Sequence, residues 1–357
     1  MSVKKGLSLF FLLSAVVCGA ILFSSVDRTS FEIFKRADPL KLACSVLLAV
    51  VVWLLDALKI SLLVRAAGER ISPKLSLELT WINYFGAAIT PMQSGGGPFQ
   101  MYVMYHNGIS VGKSIAITIA RTVLTMLILG FAIPFALMFA DDMPQTSWGV
   151  KGFVFYVIVF GLAAWLFIIL SLVRPKIVKR ICGGIVMKLK RAGLLKPGRV
   201  VRLLKRVNHE IDAYNENIRA FMTTGRMSFL GAAAVAFAQL LAQLSVMPCM
   251  IWAMGFGVKY FECVLIQSLF LFLLYFVPTP GGSGAAEGGA ALVFSMFVPW
   301  SAAGMLGVGW RFLTEYTGIF IGAVVAARLI GWRLANQIMS KARDDGSFDG
   351  SPGDGQG

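Results

Sequence analysis

The stretch Pro278-Thr-Pro-Gly-Gly-Ser-Gly-Ala-Ala-Glu-Gly-Gly289 limits what this chain can fold into more than any other. It separates two strongly apolar runs, residues 265–277 and 290–298. Two prolines and five glycines in twelve residues interrupt a helix, because proline lacks the N–H donor and glycine carries a high backbone entropy cost. Lipid offers no water to the freed backbone groups, so a break at membrane depth survives only inside protein or beside a wet cavity. A second break, Thr90-Pro-Met-Gln-Ser-Gly-Gly-Gly-Pro98, lies in the first half of the chain. Paired broken segments point to a transport site at the interface of two repeats.

Composition agrees with a membrane setting. The 357 residues are 57% hydrophobic and 14% charged, with mean hydropathy +0.75, which excludes an ordinary soluble enzyme. The net charge of +15 sits in loops between apolar spans, a pattern of membrane orientation and anionic lipid rather than of nucleic acid. Five dispersed cysteines imply neither disulfides nor a zinc site.

Full spans are expected near residues 7–26, 40–64, 114–140, 152–173, 227–254 and 302–330. The first has a signal-like shape but no convincing cleavage site, so it reads as a retained span. Residues 27–38 read as a short mixed-charge loop. The segment 174–226 carries fourteen Lys or Arg and three acidic residues. Its amphipathic stretches suggest helices lying on anionic lipid headgroups; the alternative is a solvated connector that only sets topology. Residues 344–357 read as a disordered tail after a single transmembrane domain, 1–343.

Charge sets the sidedness. With both termini cytoplasmic, the basic segments 65–74, 113, 174–226 and 328–343 fall inside and the acidic loop 141–148 outside. Residues 75–112 then leave and return on the inner side, and 259–300 on the outer side. Residues 75–90 would span about 24 Å as a helix against a hydrocarbon core of about 30 Å. The expected fold is an all-α polytopic membrane protein, with about six full spans plus two oppositely oriented re-entrant helical hairpins. Spacing also suggests an inverted repeat: Arg121 follows Pro91 by thirty residues and Arg311 follows Pro280 by thirty-one, while Glu78 and Gln267 each precede their proline by thirteen.

Arg121 and Arg311 lie inside apolar spans, where a guanidinium either captures phosphate or carboxylate or forms a structural pair with Asp56, Glu78, Glu287 or Glu315. Glu287 could take a proton, meet a cationic headgroup, pair with Arg311 or cap a helix. Glu315 lies at i+4 from Arg311. Gly95, Gly96, Gly97, Gly281, Gly282, Ser283 and Gly284 would expose amides to an anion or allow tight packing. Asn83 and Gln93 could line the same cavity. No nucleophile–base pair, metal cluster or cofactor motif appears. Gly108-Ile-Ser-Val-Gly-Lys-Ser114 has three residues between Gly108 and Gly112 where a P-loop has four.

At Pro278–Gly288 the chain resembles the lysylphosphatidylglycerol synthase/flippase transmembrane family, through its late Pro-Gly-Gly-x-Gly-x-x-Glu stretch. An earlier Asn-Pro-Gly region is similar at residues 83–97, and an arginine-bearing helix at 115–125. Where the family often has a Gly-Glu pair and an arginine, this chain has Gly96-Gly97-Pro98-Phe99-Gln100. The resemblance, over about residues 5–335, implies a stand-alone membrane domain without the aminoacyl-transferase domain. It implies movement of an anionic or aminoacylated phospholipid, or a related lipid-linked anion, across a bacterial inner membrane. The alternative is an ion-coupled secondary transporter of a small soluble anion. A third reading is a scaffold for a separate envelope-lipid synthase, contacted through 174–226.

Overall fold

A computed structural model describes residues 3–138 and 225–331, together with positions 159, 162 and 166. The expected span at 152–173, the acidic loop, the basic segment as far as residue 224 and the tail lie otherwise outside the described residues. The described chain is helical: α1 (Val3–Ser25), α2 (Arg28–Lys35), α3 (Pro39–Ala66), α4 (Pro73–Ala88), α5 (Gly96–His106), α6 (Val111–Met138), α7 (Arg226–Ala253), α8 (Tyr260–Leu274), α9 (Ala285–Ser295), α10 (Trp300–Arg311) and α11 (Thr317–Leu329). A π-helical turn, Phe312–Tyr316, joins α10 to α11. Among the described residues, five helices are long and apolar enough to cross a membrane: Lys5–Ser25, Pro39–Ala66, Val111–Phe131, Arg226–Ala253 and Trp300–Leu329. Their outward faces carry large apolar side chains such as Phe23, Leu40 and Met227, as lipid contact requires.

Local sequence sets the boundaries. Asp38 and Ser72 accept backbone N–H groups at the starts of α3 and α4, each with proline in the first turn. Residues 27–38, expected to be a loop, instead contain α2. Asp27 accepts from Ser30 N at 2.8 Å while the Ser30 hydroxyl caps Asp27 N at 3.0 Å, a reciprocal cap that nucleates a short helix. Phe31 and Phe34 are exposed on it, and Ile33 packs inward.

Helix α3 packs along α7, α4 against α11, α6 against α8 and α9 against α10. The bundle has two recognisable ends. At one, Lys113 Nζ meets Glu69 Oε1 at 2.6 Å, and the backbone at Gly225 abuts Ala66. At the other, Asp38 N donates to Ala253 O at 2.9 Å and the Ser30 hydroxyl to Ser301 O at 2.8 Å. In the chain, Glu69 precedes α4 and Lys113 follows α5, while Ala253 precedes α8 and Ser301 follows α9.

Candidate functional site

The two breaks share one backbone course: a bend, an isolated antiparallel bridge at proline, a four-residue turn and a new helix. In the first, Pro91 is followed by Met92 and Gln93 at φ 55° and 54°. In the second, Pro280 is followed by Gly281 and Gly282 at φ 59° and 69°. Non-glycine residues in this left-handed region carry a steric cost that glycine avoids. The new helices start at Gly96 and Ala285, and glycines around the first break form close packing surfaces. A Cβ on Gly86 would lie 2.7 Å from Gly95 O, and one on Gly96 would collide with the Asn83 side chain. Thr90 fastens the turn, its hydroxyl donating to Gly86 O at 2.9 Å and accepting Gly95 N at 2.7 Å.

The tips touch. Pro91 and Pro280 face each other in the bridge, Met92 N donates to Val277 O and Gly281 N to Thr90 O, both at 3.2 Å. Beside the first tip is a cavity of about 380 Å³. Of the expected site residues, Asn83, Gln93, Gly97, Arg121 and Glu315 line it. So do Asp56, Lys59, Gln239 and Gln243. Asp56 lies ten residues from the end of α3, and Arg121 ten from the start of α6. At 1.5 Å per residue both are about 15 Å along their helices from those ends.

The cavity wall holds a compact ion cluster. Arg121 Nη2 donates to Asp56 Oδ2 at 2.7 Å. Lys59 Nζ lies 2.8 Å from Asp56 Oδ1 and also donates to Gln239 Oε1 at 2.8 Å. Gln239 in turn donates to Gln243 at 3.3 Å. Asp56 and Lys59 are buried on one face of α3, at i and i+3. Arg121 Nε is buried without a hydrogen-bond partner, which leaves one donor edge of the guanidinium unspent. The carboxylates of Asp56 and Glu315 balance the cations of Lys59 and Arg121 around the cavity.

Arg311 and Glu287 stand apart from the cavity lining. Arg311 Nη2 donates to Gly281 O at 2.7 Å and Nε lies 3.5 Å from Glu287 Oε1. Glu287 also accepts Ser14 Oγ at 2.9 Å, Tyr316 OH at 2.6 Å and Gly284 N at 2.6 Å. These contacts tie the second break to α1 and to the π turn. Glu315 spans both regions, lining the cavity with Oε1 3.8 Å from Arg311 Nη1. The amides of Gly281, Gly282, Ser283, Gly284 and Gly95 are all engaged within the protein. Glu78 pairs with Arg328. Gln267, its counterpart in the spacing comparison, is buried with neither amide atom partnered. Sequence reasoning missed Lys59, Gln239 and Gln243. The i,i+3 spacing of Asp56 and Lys59 inside an apolar span was the available signal. Among the described residues, no three His, Cys, Asp or Glu side chains are placed to share a metal ion.

These features define a helical, multi-pass membrane protein with a polar cavity between broken helices. The chain belongs to the lysylphosphatidylglycerol synthase TM region family, whose model matches residues 7–322. It is similar to a UPF0104 membrane protein of Archaeoglobus fulgidus, 28% identical over 315 residues, covering 88% of this chain and 94% of that protein.

Proposed function

We propose that the protein moves the polar headgroup of an anionic or aminoacylated phospholipid, or a lipid-linked anion, between membrane leaflets. The supporting observation is the cavity of about 380 Å³ holding Asp56, Lys59, Arg121 and Glu315. That volume suits a headgroup, while acyl chains can stay in lipid. In this reading α4–α5 and α8–α9 are re-entrant hairpins that enter from opposite faces of the membrane, their prolines meeting near its middle.

An inverted repeat relates α3–α6 to α7–α11. Exchanging the halves turns the α4–α11 contact into α8–α6, and α5–α6 into α9–α10, while α3–α7 maps onto itself; all five packings occur. The repeats have diverged at their arginines. Arg311 is consumed in fastening its own break, whereas Arg121 faces the open cavity. Rocking one repeat against the other would expose the cavity to each leaflet in turn.

The test is leaflet exchange of labelled phosphatidylglycerol in reconstituted vesicles. Wild type should accelerate exchange over protein-free vesicles, and Arg121→Gln should lose roughly tenfold or more, the scale of one charge-assisted contact. A wild type no faster than empty vesicles rejects the lipid reading. Uptake of a soluble anion without lipid exchange would select the ion-coupled transporter instead.

A further inference from the structure

We infer that Lys59 and Arg121 form the anion-binding element of the cavity, that its ligand is a phosphate group, and that Asp56 is a built-in competitor occupying that element in the resting protein. The inference rests on the transport reading for its lipid source, but not for its anion chemistry.

The geometry carries it. Two cations converge on a single carboxylate, at 2.7 Å from Arg121 and 2.8 Å from Lys59. A carboxylate held between a guanidinium and an ammonium stands where a phosphate oxygen would. Neither cation is saturated by Asp56. Lys59 also donates to Gln239, and the Arg121 side chain stays partly exposed where it lines the cavity. An entering phosphate meets the exposed part of that guanidinium first, and gains the rest by displacing Asp56. Glu315 faces the same space, bears negative charge and has its own partner in Arg311. It opposes retention of an anion, so it acts in the same sense as Asp56.

This arrangement solves a transport problem. Two unopposed buried cations would hold a phosphate too long, since conduction needs binding weak enough to permit exit. An internal carboxylate that re-forms its pairs as the ligand leaves speeds release. A purely structural Asp56 gives the opposite outcome on mutation, because removing it would only loosen the wall.

The experiment measures binding of two probes, inorganic phosphate and dioctanoyl phosphatidylglycerol, to the purified full chain, alongside leaflet exchange. Asp56→Asn should bind both more tightly, by roughly tenfold or more, the effect of removing one close charge pair, and should exchange lipid more slowly. Because Asp56→Asn leaves two cations facing each other, Asp56→Asn with Lys59→Gln restores the cluster's net charge and serves as the second variant. Having lost half of the element, it is compared with Lys59→Gln alone, and should bind both probes more tightly than that single variant. If Asp56→Asn gains no affinity over wild type and the double variant none over Lys59→Gln, while wild type exchanges lipid, the competitor role is overturned and the transport reading stands. If the variants gain affinity for phosphate but wild type moves no lipid, the anion element stands and the lipid reading falls.

Discussion

At the scale of single residues, Glu287 and Asp56 look alike in sequence and differ in surroundings. Glu287 accepts three hydrogen bonds besides its contact with Arg311, and all bind it to the fold. Glu287→Gln should therefore lower stability by about 3–5 kcal/mol, as expected when a buried pair loses one partner. Thermal unfolding in detergent checks this, and a melting temperature equal to wild type would contradict it. Gln93 is a different case. It lines the cavity from a left-handed backbone position that Gly282 fills in the second break. Gln93→Gly should raise stability by about 1 kcal/mol through relief of that strain, while slowing lipid exchange through loss of a cavity amide. Increased stability with unchanged exchange would remove Gln93 from the site.

At the scale of elements, the breaks were legible because proline and glycine clusters contradict an apolar helix. Their shared Pro-x-x-Ser-Gly order, at Pro91–Gly95 and Pro280–Gly284, was present too, but spacing alone does not say that the backbones match. Helix α2 was less legible. Its cap depends on a hydroxyl and a carboxylate three residues apart, in a segment too short for periodicity to register. The π turn was not legible at all, since π helices lack a sequence signature comparable to a cap. Glycine packing gives a sharp element-scale test. A Cβ on Gly86 would strike the backbone at Gly95, which cannot rotate away, so Gly86→Ala should cost about 1–3 kcal/mol. Gly19→Ala meets nothing within 4 Å and should be neutral or stabilising by up to about 1 kcal/mol. Equal effects of the two on melting temperature would mean that α4 and α5 do not pack as described.

At the scale of the whole molecule, sidedness is the decisive quantity. In a background lacking native cysteines, Arg70→Cys and Asn107→Cys should react with an impermeant maleimide from the same membrane face, and Val258→Cys from the opposite one. Labelling of positions 70 and 107 from different faces would turn α4–α5 into a crossing segment and end the hairpin reading. Charge distribution made the membrane class and approximate spans legible, because lipid imposes the same length and polarity on every crossing helix. It could not reveal which buried charges meet. Asp56 and Arg121 are 65 positions apart, and Lys59 and Gln239 are 180 apart, so only packing brings them together. The contact between the break tips has a thermodynamic corollary. Pro91 and Pro280 have no N–H to give, so their seam cannot zip into a ladder. Among the described residues, the backbone bonds across it are Met92–Val277 and Gly281–Thr90. At roughly 0.5–1.5 kcal/mol each, these bonds form a light latch, and under the proposed transport reading the tips would part and re-form as the halves rock. If the proposed lipid movement holds, a latch this light would let cargo equilibrate downhill without ATP or an ion gradient.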